Sequence, residues 1–284
     1  MKSTVRTKKM VECALLVALG TVLSLFSVVN MPYGGSVTVA SMLGVVLISY
    51  RHGLRWGLGS GFVFAVVQQL LGLSNLTYFT TWQSVVAVML LDYVVAFVAV
   101  GLGGVFRRFV KQQSLALVCG SLLVCLVRYL CHVVSGATVW AGLSIPTEAA
   151  LLYSLGYNAT YMIPETVVLM LAAYYVGSVL DFRREKPTRL AAVNSGCRAA
   201  DLLAAVAGLL TVGALAADVA LIFSHMQNAD GEFDITGLAV PQFAGSFWMG
   251  VVIVSAVCAV AVAVLIAVRH ILLKDADVKS GAEA

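Results

Sequence analysis

Residues 128–165 read RYLCHVVSGATVWAGLSIPTEAALLYSLGYNATYMIPE, from Arg128 to Glu165. Elsewhere the chain is mostly Leu, Val, Ala and Gly, whereas here an Arg, a His, a Trp, four Tyr, an Asn and two Glu fall within two apolar helices and the loop between them. Polar and ionisable groups inside apolar helices are costly unless they face a partner, a cavity or a ligand, so this hairpin reads as a functional site. The rest of the chain reads as a scaffold that holds the hairpin and brings Asp92, from an earlier apolar helix, up to it.

Of the 284 residues 61% are hydrophobic and only 11% charged, and the mean hydropathy is +0.96. A soluble domain carries about 25% charged residues. The chain is therefore expected to be an all-α polytopic membrane protein. Apolar runs near the ~20 residues needed to cross ~30 Å of hydrocarbon lie at roughly 10–29, 38–50, 57–72, 83–105, 114–135, 148–180, 200–223 and 246–268. The second is short enough to be re-entrant.

Basic residues orient these runs. Lys2, Arg6, Lys8 and Lys9 precede the first; Arg51 and Arg55 separate the second and third; Arg107, Arg108 and Lys111 follow the fourth. Arg183, Arg184, Lys186, Arg189 and Arg198 follow the sixth, and Arg269, Lys274 and Lys279 the eighth. All fall in alternate loops, which by the positive-inside rule makes both termini cytoplasmic. The formal charge of +4 is thus topology charge and needs no nucleic-acid partner. The N-terminal run is too long, and lacks the small-residue cleavage site, to read as a removable signal peptide. The six cysteines show no metal spacing and read as packing residues.

Several polar features stand out. Ala14 and Ala18 place small residues on one helix stripe, which suits either ordinary packing or close approach of another helix. Asn30–Thr38, with Pro32 and two glycines, is either a plain connector or a lid over an outward-facing pocket. Asp92 lies well inside the fourth run, where a carboxylate must be neutral, paired or facing a cation; Arg128 and a cationic ligand are the two candidate partners. Arg128 and His132 share a helix face, with Ser135 further along. Ser144, Pro146 and Thr147 suit a helix start. Tyr153, Tyr157 and Tyr161 form a stripe that alone would suggest an interfacial belt, but Asn158 and Glu165 beside it do not belong to a belt, and Pro164 is placed to kink the helix. Asp230, Glu232 and Asp234 lack the full pattern of a calcium loop.

A carboxylate with aromatic faces and amide or imidazole groups suits a small organic cation with a flat ring, since aromatic faces attract cations by about 0.5–2 kcal/mol. Trp140 and Trp82 are both expected near such a pocket. No Walker motif, Gly-rich phosphate loop, HExxH or nucleophile elbow is present, so energy for transport would come from an ion gradient or another subunit. A hydrolase built on His132, Asp92 and Ser135 lacks an oxyanion-type glycine turn. A proton-coupled carrier using Asp92 or Glu165 is a distinct alternative.

Pro32–Ser36, Arg51-His-Gly53 with Gly57, Leu90–Phe97 with Gly101–Gly104, Arg128–His132 with Ser135-Gly136, Trp140, and Tyr153–Tyr161 with Pro164 together resemble the thiamine-specific substrate-binding (S) component of energy-coupling-factor (ECF) vitamin transporters, the ThiT/YuaJ type. The resemblance covers about the first 186 residues. It implies a six-helix substrate-binding domain over 1–186; residues 187–284 read, from their two apolar runs, as an additional two-helix hairpin with a cytoplasmic tail. It implies high-affinity thiamine uptake at a bacterial cell membrane, surrounded by lipid, with no cofactor or metal of its own. On the positions that match, Asp92 would face the thiazolium, Trp140 and His132 would flank it, Tyr153 and Asn158 would hydrogen-bond the ligand, and Tyr93 would lie near the pyrimidine. Ala14 and Ala18 would dock on the transmembrane coupling protein, which works with two ATPase subunits. An S-component for a thiamine precursor or another cationic heterocycle is the neighbouring alternative. The loop after Trp140 departs from the family's Trp/Phe-Gly…Ala-Pro-x-Gly pattern, and the hairpin after residue 190 has no recognised counterpart.

Overall fold

Glycines and basic residues divide the apolar runs, and the helices follow that division. The structure, a computed structural model, describes residues 2–143, 147, 150–190, 198–225 and 246–282, and forms two compact units, Met1–Thr188 and Arg189–Ala284. The first contains α1 (Lys2–Leu25), α2 (Leu43–His52), α3 (Leu54–Leu71), α4 (Trp82–Arg108), α5 (Gln113–Thr138) and α6 (Ala150–Val179). Between α1 and α2 runs an antiparallel hairpin of β1 (Ser27–Asn30) and β2 (Ser36–Thr38), with Ser27 opposite Thr38 and Asn30 opposite Ser36. The second unit contains α7 (Arg198–His225) and α8 (Ser246–Ala282).

Among the described residues α4, α5, α6 and Met249–Lys274 of α8 are long and apolar enough to cross a membrane. This is a multi-pass helical membrane protein. The second expected span is not a crossing helix: at about 1.5 Å per residue, the ten residues of α2 reach only half way across the hydrocarbon. Gly44 to Tyr50 are all buried, so α2 is the unit's centre rather than part of its lipid face. The β1–β2 hairpin continues the chain beyond it, an arrangement tolerated in a bilayer where non-helical backbone is covered by protein or lines a cavity.

Small residues allow neighbours to close around α2. A Cβ at Gly44 would strike the carbonyl oxygen of Leu16 in α1, and one at Gly104 the carbonyl of Ser49. Gly57 of α3 meets Gly101 of α4, and Gly120 of α5 meets Gly103. The Ser49 hydroxyl donates to the Gly101 carbonyl (2.5 Å) and accepts from the Gly104 N–H (2.9 Å), pinning α4 where its last turns tighten into a 3₁₀ helix, Ala99–Arg108. The run Gly101-Leu-Gly-Gly104 is thus a close-packing device.

The basic loops gather at the end away from the hairpin. Arg107 donates to the carbonyls of Tyr50 and Arg51, both at 2.8 Å. Arg51 bonds the Phe182 carbonyl (3.1 Å) and pairs with Glu12 of α1, which also meets His52 at 3.0 Å. Arg183 reaches the Tyr50 hydroxyl (3.2 Å). On α1, Cys13 and Val17 are buried while Ala14 and Ala18 are exposed.

Within the second unit, Ser255 of α8 donates to Asp218 of α7 at 2.7 Å. The expected outer loop with Asp230, Glu232 and Asp234 lies outside the described residues, as do Ser144 and Pro146 at the expected start of α6.

Gly120→Ala should lower the melting temperature of the detergent-solubilised chain, because overpacking costs about 1–3 kcal/mol. Gly59→Ala in α3, where a Cβ meets nothing within 4 Å, should leave it unchanged or raise it slightly.

Candidate functional site

Asp92 reaches the bundle interior from an irregular stretch of helix. Thr81 caps the start of α4 by accepting the Ser84 N–H (3.3 Å). After one ordinary α-helical segment the backbone opens into π-helical turns over Met89–Val95, then returns to α-helix. Such wide turns insert a residue and re-aim side chains, and they are frequent at functional sites. Asp92 lies at their middle.

Its carboxylate is held by three groups from α5 and the turn that follows. Oδ1 lies 2.9 Å from His132 Nδ1; Oδ2 accepts from the Ser135 hydroxyl at 2.7 Å and from the Trp140 indole N–H at 3.0 Å. An ionised carboxylate only accepts, so in that state His132 carries its proton on Nδ1. Ser135 also ends the helix: its carbonyl accepts the N–H groups of Val139 (2.7 Å) and Trp140 (3.2 Å). One residue therefore places both the carboxylate and the backbone that carries the indole.

Arg128 is not the partner of Asp92. It pairs instead with Glu165 of α6 at 3.0 Å, lies 4.5 Å from the centre of the Phe97 ring, and has Nη1 2.9 Å from the Met42 sulfur. The other Glu165 oxygen accepts the Thr38 hydroxyl at 2.7 Å, and Thr38 lies 2.8 Å from Ser41 Oγ. Arg128, Glu165, Thr38 and Ser41 are all buried. The i, i+4 spacing of Arg128 and His132 is kept, but the two serve different carboxylates because α6 brings its own.

A cavity of about 300 Å³ joins the two charged groups; Asp92, Tyr93, His132, Trp140 and Asn158 all line it, with Arg128 and Glu165. Around Trp140 stand Phe79 (ring centres 4.6 Å apart), Tyr78 (6.0 Å) and Tyr33 (6.3 Å). Tyr33 takes a left-handed conformation with φ 62°, a strained state for a residue with a side chain that is characteristic of binding sites. Gly35 packs against the Tyr161 ring so closely that a Cβ there would collide with it. Asn158 is already engaged: its amide donates to the Ser154 carbonyl (2.9 Å) and its oxygen accepts the Tyr161 hydroxyl (2.7 Å). Tyr93 accepts from Asn75 at 3.0 Å and is aligned with Phe97 at 6.4 Å.

Tyr153 is buried but is not on the cavity wall. Trp82 does not line it either and is 72% exposed, since it begins α4 more than two turns before Asp92. Asn75, Tyr78 and Phe79 join the site although helical periodicity does not single them out; they sit in and just after the short 3₁₀ segment Leu73–Tyr78. A cluster of Asn and aromatics directly after Gly72 is the signal that could have found them. Ser135 joins the site as a hydrogen-bond donor to Asp92. Two buried polar atoms of cavity residues, Arg128 Nε and His132 Nε2, lack a hydrogen-bond partner among the described residues. Among those residues the one permanent cation on the cavity wall, Arg128, pairs with Glu165 and not with Asp92.

A sequence model of the family described as thiamine transporter protein (Thia_YuaJ) matches residues 10–181. The thiamine transporter ThiT of Bacillus subtilis (strain 168) is 34% identical over 171 residues, 56% of this chain and 85% of that protein. A solved structure of ThiT from Listeria monocytogenes aligns with a TM-score of 0.49 at 19% identity, covering 61% of this chain and 94% of the other.

Arg128→Leu should destabilise the fold by about 3–5 kcal/mol by stranding Glu165, and the double change Arg128→Leu/Glu165→Leu should recover much of that loss in thermal melting.

Proposed function

The chain belongs to the thiamine transporter (Thia_YuaJ) family, and on that premise we propose that its first unit is the thiamine-binding S-component of an ATP-driven ECF uptake system. Thiamine joins an aminopyrimidine to a thiazolium ring with a fixed positive charge. The observation that carries the reading is the carboxylate of Asp92, which is held by an imidazole, a hydroxyl and an indole rather than by a Lys or an Arg. Excluding water from the cavity strengthens its attraction for a cation. Its volume, near the lower end of ligand pockets at about 300–1,000 Å³, suits one small heterocyclic molecule.

In this reading Asp92 faces the thiazolium, with Trp140 and His132 against the ring. Tyr93 lies beside the pyrimidine. Asn158 acts together with Tyr161, to which it is bonded, and Tyr153 supports that wall from behind rather than touching the ligand. The β1–β2 hairpin is the outer cover, tied down where Thr38 meets Glu165.

The protein resides in the bacterial cell membrane with both termini cytoplasmic and the cavity facing outward. Ala14 and Ala18, exposed on α1, form the surface on which the transmembrane coupling protein docks, and ATP is hydrolysed by two partner subunits. A proton-coupled carrier working through Glu165 is disfavoured, because Arg128 and Thr38 hold that carboxylate at once; one working through Asp92 would show uptake without any coupling module.

Titrating the detergent-purified chain with thiamine should quench Trp140 emission saturably. Asp92→Asn should weaken thiamine binding at least tenfold while leaving the fold intact, and Trp140→Phe should abolish the signal. Binding of equal strength in wild type and Asp92→Asn would exclude the charge match. Uptake by cells lacking any coupling module would exclude the ECF assignment.

A further inference from the structure

Ser135 does more at this site than end a helix. Its side chain is fully buried, and its hydroxyl makes the shortest of the three hydrogen bonds to Asp92, 2.7 Å to Oδ2. That same oxygen receives the Trp140 indole N–H at 3.0 Å. Ser135 thus touches the site twice: through the carbonyl that receives the Val139 and Trp140 N–H groups, and through the hydroxyl that fixes the carboxylate to which the indole is tied. We infer that Ser135 is a positioning residue that sets how strongly the cavity prefers a cationic ring to a neutral ring of the same shape. This role rests on the thiamine reading of the site.

What the hydroxyl supplies is orientation. A carboxylate terminates a soft torsion with broad wells, so Asp92 holds one orientation only while its oxygens are bound. His132 secures Oδ1 and is itself a wall of the cavity, so a ring pressed against it can displace it. Ser135 lies beneath, out of a ligand's reach. Without its hydroxyl, Oδ2 keeps only the indole, and the carboxylate and Trp140 can swing together. The charge is then no longer held opposite the ring position, and the aromatic wall loses its anchor. A neutral ring, which gains nothing from the carboxylate, loses only the smaller contribution of the wall.

The test is a double-mutant cycle on the full chain, read by calorimetric titration with two probes: thiamine, and its thiophene analogue, in which a neutral ring replaces the thiazolium. Ser135→Ala should weaken thiamine binding about tenfold and analogue binding less than threefold. In the Asp92→Asn background the same change should cost less than twofold for thiamine, because contacting groups are non-additive. Equal losses for both ligands, or additive losses in the two backgrounds, would reduce Ser135 to an ordinary packing residue and overturn the inference. Thiamine affinity within twofold of wild type in Ser135→Ala would overturn it as well. Failure of the wild-type chain to bind thiamine at all would instead strike at the functional reading, so the two failures are distinguishable.

Discussion

A carboxylate inside an apolar bundle must find hydrogen-bond donors, and the architecture of the first unit follows from how Asp92 finds three. The π-helical turns of Met89–Val95 bring it inward; α5 ends where Ser135 can reach it; the turn after α5 is placed so that the Trp140 indole closes the set. Burying such a group without partners would cost several kcal/mol. The donors therefore define the geometry of the cavity end of the bundle, and the aromatic groups gathered on Trp140 inherit their places from it.

The second carboxylate illustrates the opposite use of charge. Glu165 is neutralised by Arg128 and tied to Thr38, so it links α5, α6 and β2 without adding net charge to the cavity. A buried pair of this kind is better evidence of specificity than of stability. Here it joins the β1–β2 hairpin to the helices that carry the site. Among the described residues Asp92 has no arginine partner, because Glu165 has taken Arg128.

Below the cavity, packing is governed by size rather than polarity. The ten residues of α2 are enclosed because Gly44, Gly57, Gly101, Gly103, Gly104 and Gly120 let backbones approach one another. This closeness frees the other half of the unit for a hairpin and a cavity.

Composition and charge determined by themselves that this is a helical membrane protein, because an apolar run of sufficient length and the clustering of basic residues in alternate loops are properties of the chain alone. The cluster from Arg128 to Glu165, and Asp92 beside it, were likewise legible, since polar groups in apolar helices are too costly to keep without a partner, a cavity or a ligand. Who pairs with whom was decided only by the tertiary structure. Arg128 could have met Asp92 or Glu165 as far as helical spacing goes, and the pairing turned on the rotation of α6 and on π-helical turns that no local spacing announces. The exclusion of Tyr153, which α6 carries, from the cavity wall has the same cause. Helical periodicity says which residues share a face, but only the packing of one helix against the next says what that face meets.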